Sequence, residues 1–294
     1  MFVRADRLLE SPPTTWLSKH VISFHWEGFE PHLVLYDLGR MEVEELDLLR
    51  IDIIVSRERT CVGRWGERYE PCPRHAVLGG AFDQCPRCAE AWIPHQECIF
   101  EPRCEGELCD AQFCKKKHLV YAAFYGDLVK IGMTGGNRWR ERAIEQGADA
   151  IAPLLECPNR KRARDMENFI SKGLGLTQRV SGKQIVRQLT RNPRKGQLRE
   201  RYSSLLDELR GQLSAHRPEQ EALEDTLILL DDYPKRGEVG DSPMQVRAEG
   251  RHLGRMRMIK GKFIFFEDER DSQIKMLELP DVVSRYIEAR GRKS

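Results

Sequence analysis

Cysteine is the residue type in this chain whose number and spacing most constrain its chemistry. Eight of the nine cysteines lie between positions 61 and 114. Cys85-Pro86-Arg87-Cys88 is a C-x2-C knuckle, the spacing that lets two thiolates reach one tetrahedral ion from a tight turn. Cys61 and Cys72 upstream complete a set of four. A second quartet follows, Cys98, Cys104, Cys109 and Cys114, spaced C-x5-C-x4-C-x4-C. Zinc is the expected metal for both. The second set also suits an iron–sulfur cluster, which likewise takes four thiolates, and His75, His95 or His118 can stand in for a cysteine. Zinc held by four cysteines leaves no position for water or substrate, so both metals are expected to brace the fold and do no chemistry. Cys157 stands apart and reads as a buried core thiol.

Residues 1–7 carry charges where a secretory peptide needs an apolar core, and no segment offers the uninterrupted apolar run of a membrane span. The expectation is a cytoplasmic protein with no membrane partner. Thiols stay reduced there, which favours metal ligation over disulfides.

The formal net charge of +2 conceals a segregated chain. Residues 1–114 carry 12 basic and 20 acidic side chains, net −8; residues 115–201 carry 20 and 8, net +12; residues 202–294 carry 16 and 18, net −2. A basic block of this size attracts polyanions, and DNA or RNA is the expected partner. Within it, Arg160, Lys161, Arg162 and Arg164 crowd one helix start, and Lys130, Arg138 and Arg140 precede them. These side chains are expected to follow a phosphate backbone, which gives affinity without sequence information. The stretch 187–195 is expected to add to this track. Trp139, between two arginines, reads as core in preference to a base-stacking residue.

One acid in the basic block stands out. Ala163, Met166, Phe169 and Ile170 form an apolar stripe at helical spacing, and Glu167 falls on that same side. A carboxylate buried alone costs several kcal/mol, so Glu167 must either hold a cation or pair with a base such as Arg140 or Arg164.

Leu119-Val120-Tyr121, then Lys130-Ile131-Gly132, Arg140 and Glu167 together resemble the GIY-YIG nuclease domain over about residues 117–195. Tyr121 falls on the tyrosine of the first half-motif, Gly132 on the glycine of the second, Arg140 on the family arginine and Glu167 on the metal-holding glutamate. The resemblance implies endonuclease activity. Glu167 would hold one Mg²⁺ or Mn²⁺, Arg140 would contact the phosphate, and Tyr121 would act on the attacking water. Two departures bear on activity: Lys130 stands where the second half-motif has tyrosine, and Ile144 stands where many members carry histidine or tyrosine. A lysine there can hold a phosphate or, once desolvated, serve as a base. The alternative is a non-catalytic, zinc-stabilised binding factor for DNA, RNA or a ribosomal or other ribonucleoprotein particle, with the core as a phosphate clamp. A third is a scaffold for an acidic protein. The cysteine-rich segment ahead of this core, with Glu145-Gln146-Gly147-Ala148 after the first helix, is similar to an uncharacterised, largely archaeal family, domain of unknown function 2797.

The elements that must position these residues are short. Runs at 21–26, 32–36 and 51–55 are β-branched and aromatic, and predict a small N-terminal β module over 1–60. The metal-binding segment spans 61–116, where Gly, Pro and Cys replace periodicity. In the 117–195 core, strands at 118–124 and 128–133 predict a hairpin, followed by a helix over 137–146, a strand over 150–155 and a basic helix to about 172. Residues 196–230 predict a helix. Strands return after 243, and a terminal helix is expected over 282–289. The expected fold class is α+β multidomain: β module, cysteine-rich double metal-binding segment, GIY-YIG-like α/β core, and a C-terminal helical and β region over 196–294.

Overall fold

The structure is a computed structural model that describes residues 18–89, 96–98, 101–108, 111–136, 138–180, 182–189, 194–223, 226–240 and 242–289. In chain order the elements are β1 (Lys19–Glu27), β2 (Glu30–Asp37), β3 (Glu42–Glu45), β4 (Arg50–Arg59), the short β5 (Arg64–Trp65) and β6 (Tyr69–Glu70), and α1 (Gln112–Lys115). Then come β7 (His118–Tyr125), β8 (Leu128–Gly135), α2 (Trp139–Glu145), β9 (Ala150–Cys157), α3 (Arg160–Gly173), α4 (Gly182–Leu189) and α5 (Lys195–His216). The chain closes with β10 (Ile228–Leu229), β11 (Met244–Gln245), β12 (Gly250–Lys260), β13 (Phe263–Asp268), β14 (Ile274–Glu278) and β15 (Arg285–Ala289).

These strands form a mixed α+β architecture with two main sheets. The larger has nine strands in the order β11-β14-β13-β12-β4-β15-β1-β2-β3, and the smaller has four in the order β10-β9-β7-β8. β7 explains how the layers stack. His118-Leu-Val-Tyr-Ala-Ala-Phe-Tyr125 has no polar alternation, the pattern of a strand buried on both faces. Tyr121, Ala123 and Tyr125 point into a core shared with the large sheet and α2, while Val120, Ala122 and Phe124 point into a second core built with α3 and α5. The order of layers is therefore large sheet, α2, small sheet, then α3 with α5.

α3 starts where Asn159 caps it, its side chain accepting from the Arg162 amide at 2.9 Å. The stripe of Ala163, Met166 and Ile170 is buried against the small sheet.

The N-terminal and C-terminal strands do not form separate units. β4 pairs with β12 and with β15, and β1 pairs with β15, so the expected 1–60 module and the C-terminal strands are one sheet. The expected terminal helix is the strand β15, preceded by a 3-10 turn at Leu279–Val282. Its residues have fair helix propensity, but the slot between β1 and β4 satisfies backbone groups on both edges, and that tertiary pairing wins. α5 also ends at His216, well before 230, because Pro218 follows. The chain then runs extended, and Ile228–Leu229 adds to the edge of β9. α4 had no counterpart among the predicted elements. Among the described residues no helix is long and apolar enough to cross a membrane.

Candidate metal centre and cationic hollow

Cys61 follows β4 directly, Cys72 follows the β5–β6 hairpin, and Cys85 and Cys88 sit on the knuckle. Their four sulfurs lie within 4.8 Å of one another, and all four residues are buried. A tetrahedral ion with metal–sulfur bonds of about 2.3 Å needs sulfurs about 3.8 Å apart, so the set fits zinc or a similar thiophilic ion. Backbone donors are already turned toward the sulfurs: the Cys85 amide donates to Cys61 Sγ at 3.2 Å. Burial opposes ionisation of Cys85, yet the Cys88 and Arg87 amides hold its thiol down at about 7. With every position filled by sulfur, such a centre is structural.

Of the second quartet, Cys98, Cys104 and Cys114 are buried, and Cys109 lies outside the described residues, as does His95. Among the described residues, no three ligand atoms of this segment come within 4.8 Å of one another.

The second feature is a hollow of about 410 Å³ where the small sheet and α2 meet the β12–β13–β14 edge of the large sheet. Lys130 comes from β8, Arg142, Glu145 and Gln146 from α2 and its C-terminus, and Lys262, Phe263 and Glu278 from the large sheet. The geometry is fixed by the Glu145-Gln146-Gly147-Ala148 run. The Ala148 amide donates to Ala143 O at 3.0 Å and the Gly147 amide to Ile144 O at 2.9 Å, a Schellman ending that turns Gln146 inward. Gln146 Oε1 then accepts from Lys130 Nζ at 2.8 Å and from the Tyr125 hydroxyl at 3.1 Å.

On the opposite wall, Gly261 at φ +58° turns β12 into β13. A Cβ there would stand 2.5 Å from Gly147 N, so the two glycines set how closely the sheets approach. Trp26 Nε1 donates to Gly261 O at 2.9 Å, and a buried ion pair joins Lys260 to Asp149.

Three cations face this hollow against two carboxylates. Glu145 is engaged by Arg138 at 3.0 Å and Arg142 at 3.4 Å, and burial pushes the Glu278 carboxyl up. Burial, then Arg142 and Lys262, lower the Lys130 amine to about 8, with Glu167 opposing. The local field therefore favours an anion.

The residues singled out in the sequence do not all converge. Tyr121 and Gly132 are direct cross-strand partners, and a Cβ on Gly132 would meet the Tyr121 ring at 2.7 Å. The glycine is there to admit the phenol. Tyr121 is only 2 % exposed, and burial raises its pKa despite Arg142, the reverse of what a base at neutral pH needs. Glu167 is 5 % exposed and bonded to Arg164 Nη1 at 2.7 Å. Of the two outcomes the sequence allowed, the ion pair is the one present. Burial raises the Glu167 pKa, and Arg164 and then Lys130 counter it. Arg164 occupies Glu167 Oε2, so an Mg²⁺ or Mn²⁺ ion at this carboxylate would have to share it with the guanidinium or displace it. Arg140 is exposed on α2 and does not line the hollow; Arg142, two residues on, does.

The basic start of α3 also differs from expectation. Arg160 is 5 % exposed, donating to Cys98 O at 2.6 Å with its guanidinium 5.8 Å over the Phe113 ring. It anchors the cysteine-rich segment and presents no charge to a phosphate. Arg162 pairs with Glu105 at 3.1 Å, Arg164 with Glu101 at 2.9 Å, and Lys161 with Asp165 at 2.7 Å. Much of the charge segregation is thus complemented within the chain, by acids two of which lie in the cysteine-rich segment. Within the 187–195 stretch, residues 190–193 lie outside the described residues. Trp139 packs against the shared core.

Sequence reasoning missed Arg142, Lys262 and Glu278. Arg142 was accessible as the α2 residue one turn before Gln146; nothing local marks the other two. With this geometry in view, the chain belongs to the family described as protein of unknown function (DUF2797), whose model matches residues 49–279. That span begins at the central strand β4 and ends just past β14, so it takes in the metal centre and both walls of the hollow. No curated protein and no solved structure matches the chain.

Proposed function

We propose that this is a zinc-braced nucleic-acid-binding protein whose GIY-YIG-like core holds phosphate without cutting it. The observation that carries this reading is the hollow walled by Lys130, Arg142 and Lys262. These are three cations against two carboxylates, one of which, Glu145, is already shared between Arg138 and Arg142, and they stand at the second half-motif of the resemblance. Cleavage is disfavoured because Glu167 is paired with Arg164, Tyr121 is buried with a raised pKa, and Arg140 does not line the hollow. The zinc centre and a second metal on Cys98, Cys104, Cys109 and Cys114 would stiffen the platform and take no part in chemistry. A cleaving role needs Glu167 to exchange Arg164 for a divalent ion on substrate binding.

The test is fluorescence anisotropy with single-stranded DNA, duplex DNA and a structured RNA across a salt series, with a parallel cleavage gel in Mg²⁺ and Mn²⁺. The expected result is salt-sensitive binding, with Lys262→Ala and Arg142→Ala each lowering the salt slope by about one. No cutting is expected. Cleavage that Glu167→Gln abolishes would restore the nuclease reading. Absence of binding at moderate salt would leave the scaffold for an acidic protein.

A further inference from the structure

The described residues include three lysines with little exposure in the middle of their surroundings, and they differ in what they touch. Lys260 Nζ is paired with the Asp149 carboxylate, and Lys275 Nζ lies 2.6 Å from Asp268 and 2.8 Å from Asp271. Those two are structural ion pairs. Lys130 Nζ has a neutral amide as its hydrogen-bond partner, Gln146 Oε1 at 2.8 Å, and it opens on a cavity. Holding an ammonium there without a carboxylate contact is costly when Arg142 and Lys262 line the same hollow, and the fold relieves that cost by making the amine easy to deprotonate. Desolvation beside other cations is a known way of turning a lysine into a nucleophile at neutral pH.

The rest of the cavity says what such an amine would meet. Arg142 and Lys262 supply charge for a phosphate within the same hollow, and Phe263 and Val180 supply an apolar wall. A volume of about 410 Å³ accommodates a ligand of sugar-phosphate or single-nucleotide size.

We propose that Lys130 forms a reversible imine with an aldehyde that carries a phosphate group, with Arg142 and Lys262 holding the phosphate. The Lys130 nitrogen lone pair adds to the carbonyl carbon. The resulting carbinolamine loses its hydroxyl and the nitrogen proton as water, leaving a C=N bond. No oxidant or reductant is involved. The same chemistry is offered by a free phosphorylated aldehyde and by the ring-opened sugar of an abasic site in DNA, whose aldehyde is flanked by phosphates. The inference rests on the hollow alone and stands whether or not the chain binds intact nucleic acid.

The experiment treats the full chain with pyridoxal 5′-phosphate, reduces with sodium borohydride, and maps the adduct by peptide mass. Expected is one dominant adduct on Lys130, formed at least about tenfold faster than the mean surface lysine. It should be lost in Lys130→Arg, and the preference for Lys130 over surface lysines should fall about tenfold with pyridoxal, which lacks the phosphate. Its rate should level off above about pH 9, while surface lysines keep gaining about tenfold per pH unit. The groups facing Lys130 that shape this profile are Tyr125, Arg142, Glu145, Glu167, Lys262 and Glu278. A second arm replaces the small aldehyde with an abasic oligonucleotide; covalent capture there that competes with pyridoxal phosphate names DNA as the source, and capture of the small aldehyde alone names a free metabolite. Label spread over exposed lysines in proportion to exposure, or Lys130 left unlabelled by both probes in a chain that still folds, overturns the proposal. So does a preference for Lys130 over surface lysines that is the same with and without the phosphate.

Discussion

Arg164 Nη1 lies 2.7 Å from Glu167 Oε2, one turn away on α3, and the same guanidinium reaches Glu101 in the cysteine-rich segment through Nε at 2.9 Å. The carboxylate that the sequence offers to a metal is therefore part of a three-residue bridge between α3 and the cysteine-rich segment. Removing Arg164 strands a nearly buried acid, which typically costs about 3–5 kcal/mol; Glu101 is largely exposed, so the lower end is expected for Arg164→Met. Burial already holds the Glu167 pKa above its ordinary value, and losing Arg164 raises it further. A raised carboxyl pKa means the folded state prefers the proton, so stability is lost as pH climbs through that pKa and regained as it falls. The deficit of Arg164→Met should thus shrink as pH is lowered from 7 toward 5, measured by urea unfolding at each pH. A deficit that grows on acidification would show that Glu167 is not the stranded group.

The Cys61, Cys72, Cys85 and Cys88 centre is fastened to the large sheet by backbone bonds from Cys61 to Ala76 O and from Leu78 to Arg59 O, and by Ser284 Oγ donating to Asp83 at 2.6 Å. Metal removal should therefore release this segment first and leave the sheets folded. Elemental analysis should find at least one zinc per chain, and two if the second quartet closes. A strong chelator, or Cys88→Ser, should split thermal unfolding into an early local step and a later global one. Proteolysis confined to residues 61–89 would mark the early step. A single unshifted transition after verified metal loss would show that no metal braces this region.

How much of this was readable beforehand depends on whether the information is local. β7, β8 and α3 were legible because burial on both faces, a two-residue turn and an Asn cap write themselves into short windows. The convergence of Cys61, Cys72, Cys85 and Cys88 was legible because ligand geometry dictates ligand spacing. β15 was not, since its conformation is decided by the gap between β1 and β4. Nor was the fate of Arg160, whose neighbours in sequence are exposed bases while its neighbours in space are Cys98 and Phe113. The hollow was half legible: Lys130 stood out as a departure from the motif, but Lys262 and Glu278 reach it from another sheet, and nothing in their own windows signals it.

The approach of the two sheets is set at Gly261. Any side chain there meets Gly147 N at 2.5 Å in a backbone conformation that favours glycine, so Gly261→Ala must either move the β12–β13 turn or unseat the end of α2. A cost of about 2–4 kcal/mol is expected, in the range of core overpacking joined to backbone strain. Gln146 would shift with it, and Lys130 would lose its acceptor. Amide exchange should therefore quicken at residues 144–148 as well as at 260–263. Protection unchanged at α2 would show that the contact does not transmit to the hollow.

The Lys260–Asp149 pair ties the sheets together from inside the shared core, and Asp149 Oδ2 also accepts the Gly126 amide at 2.6 Å. Both side chains are about 9 % exposed, so neither charge can be left to water. Lys260→Met should cost about 3–5 kcal/mol because it abandons Asp149, whereas Lys260→Met with Asp149→Asn keeps the Gly126 bond, removes both charges and should recover more than half of that loss. The coupling is read from a double-mutant cycle by chemical denaturation. Additive losses in that cycle would mean that the two groups are solvated separately and that their pairing does not hold the sheets together.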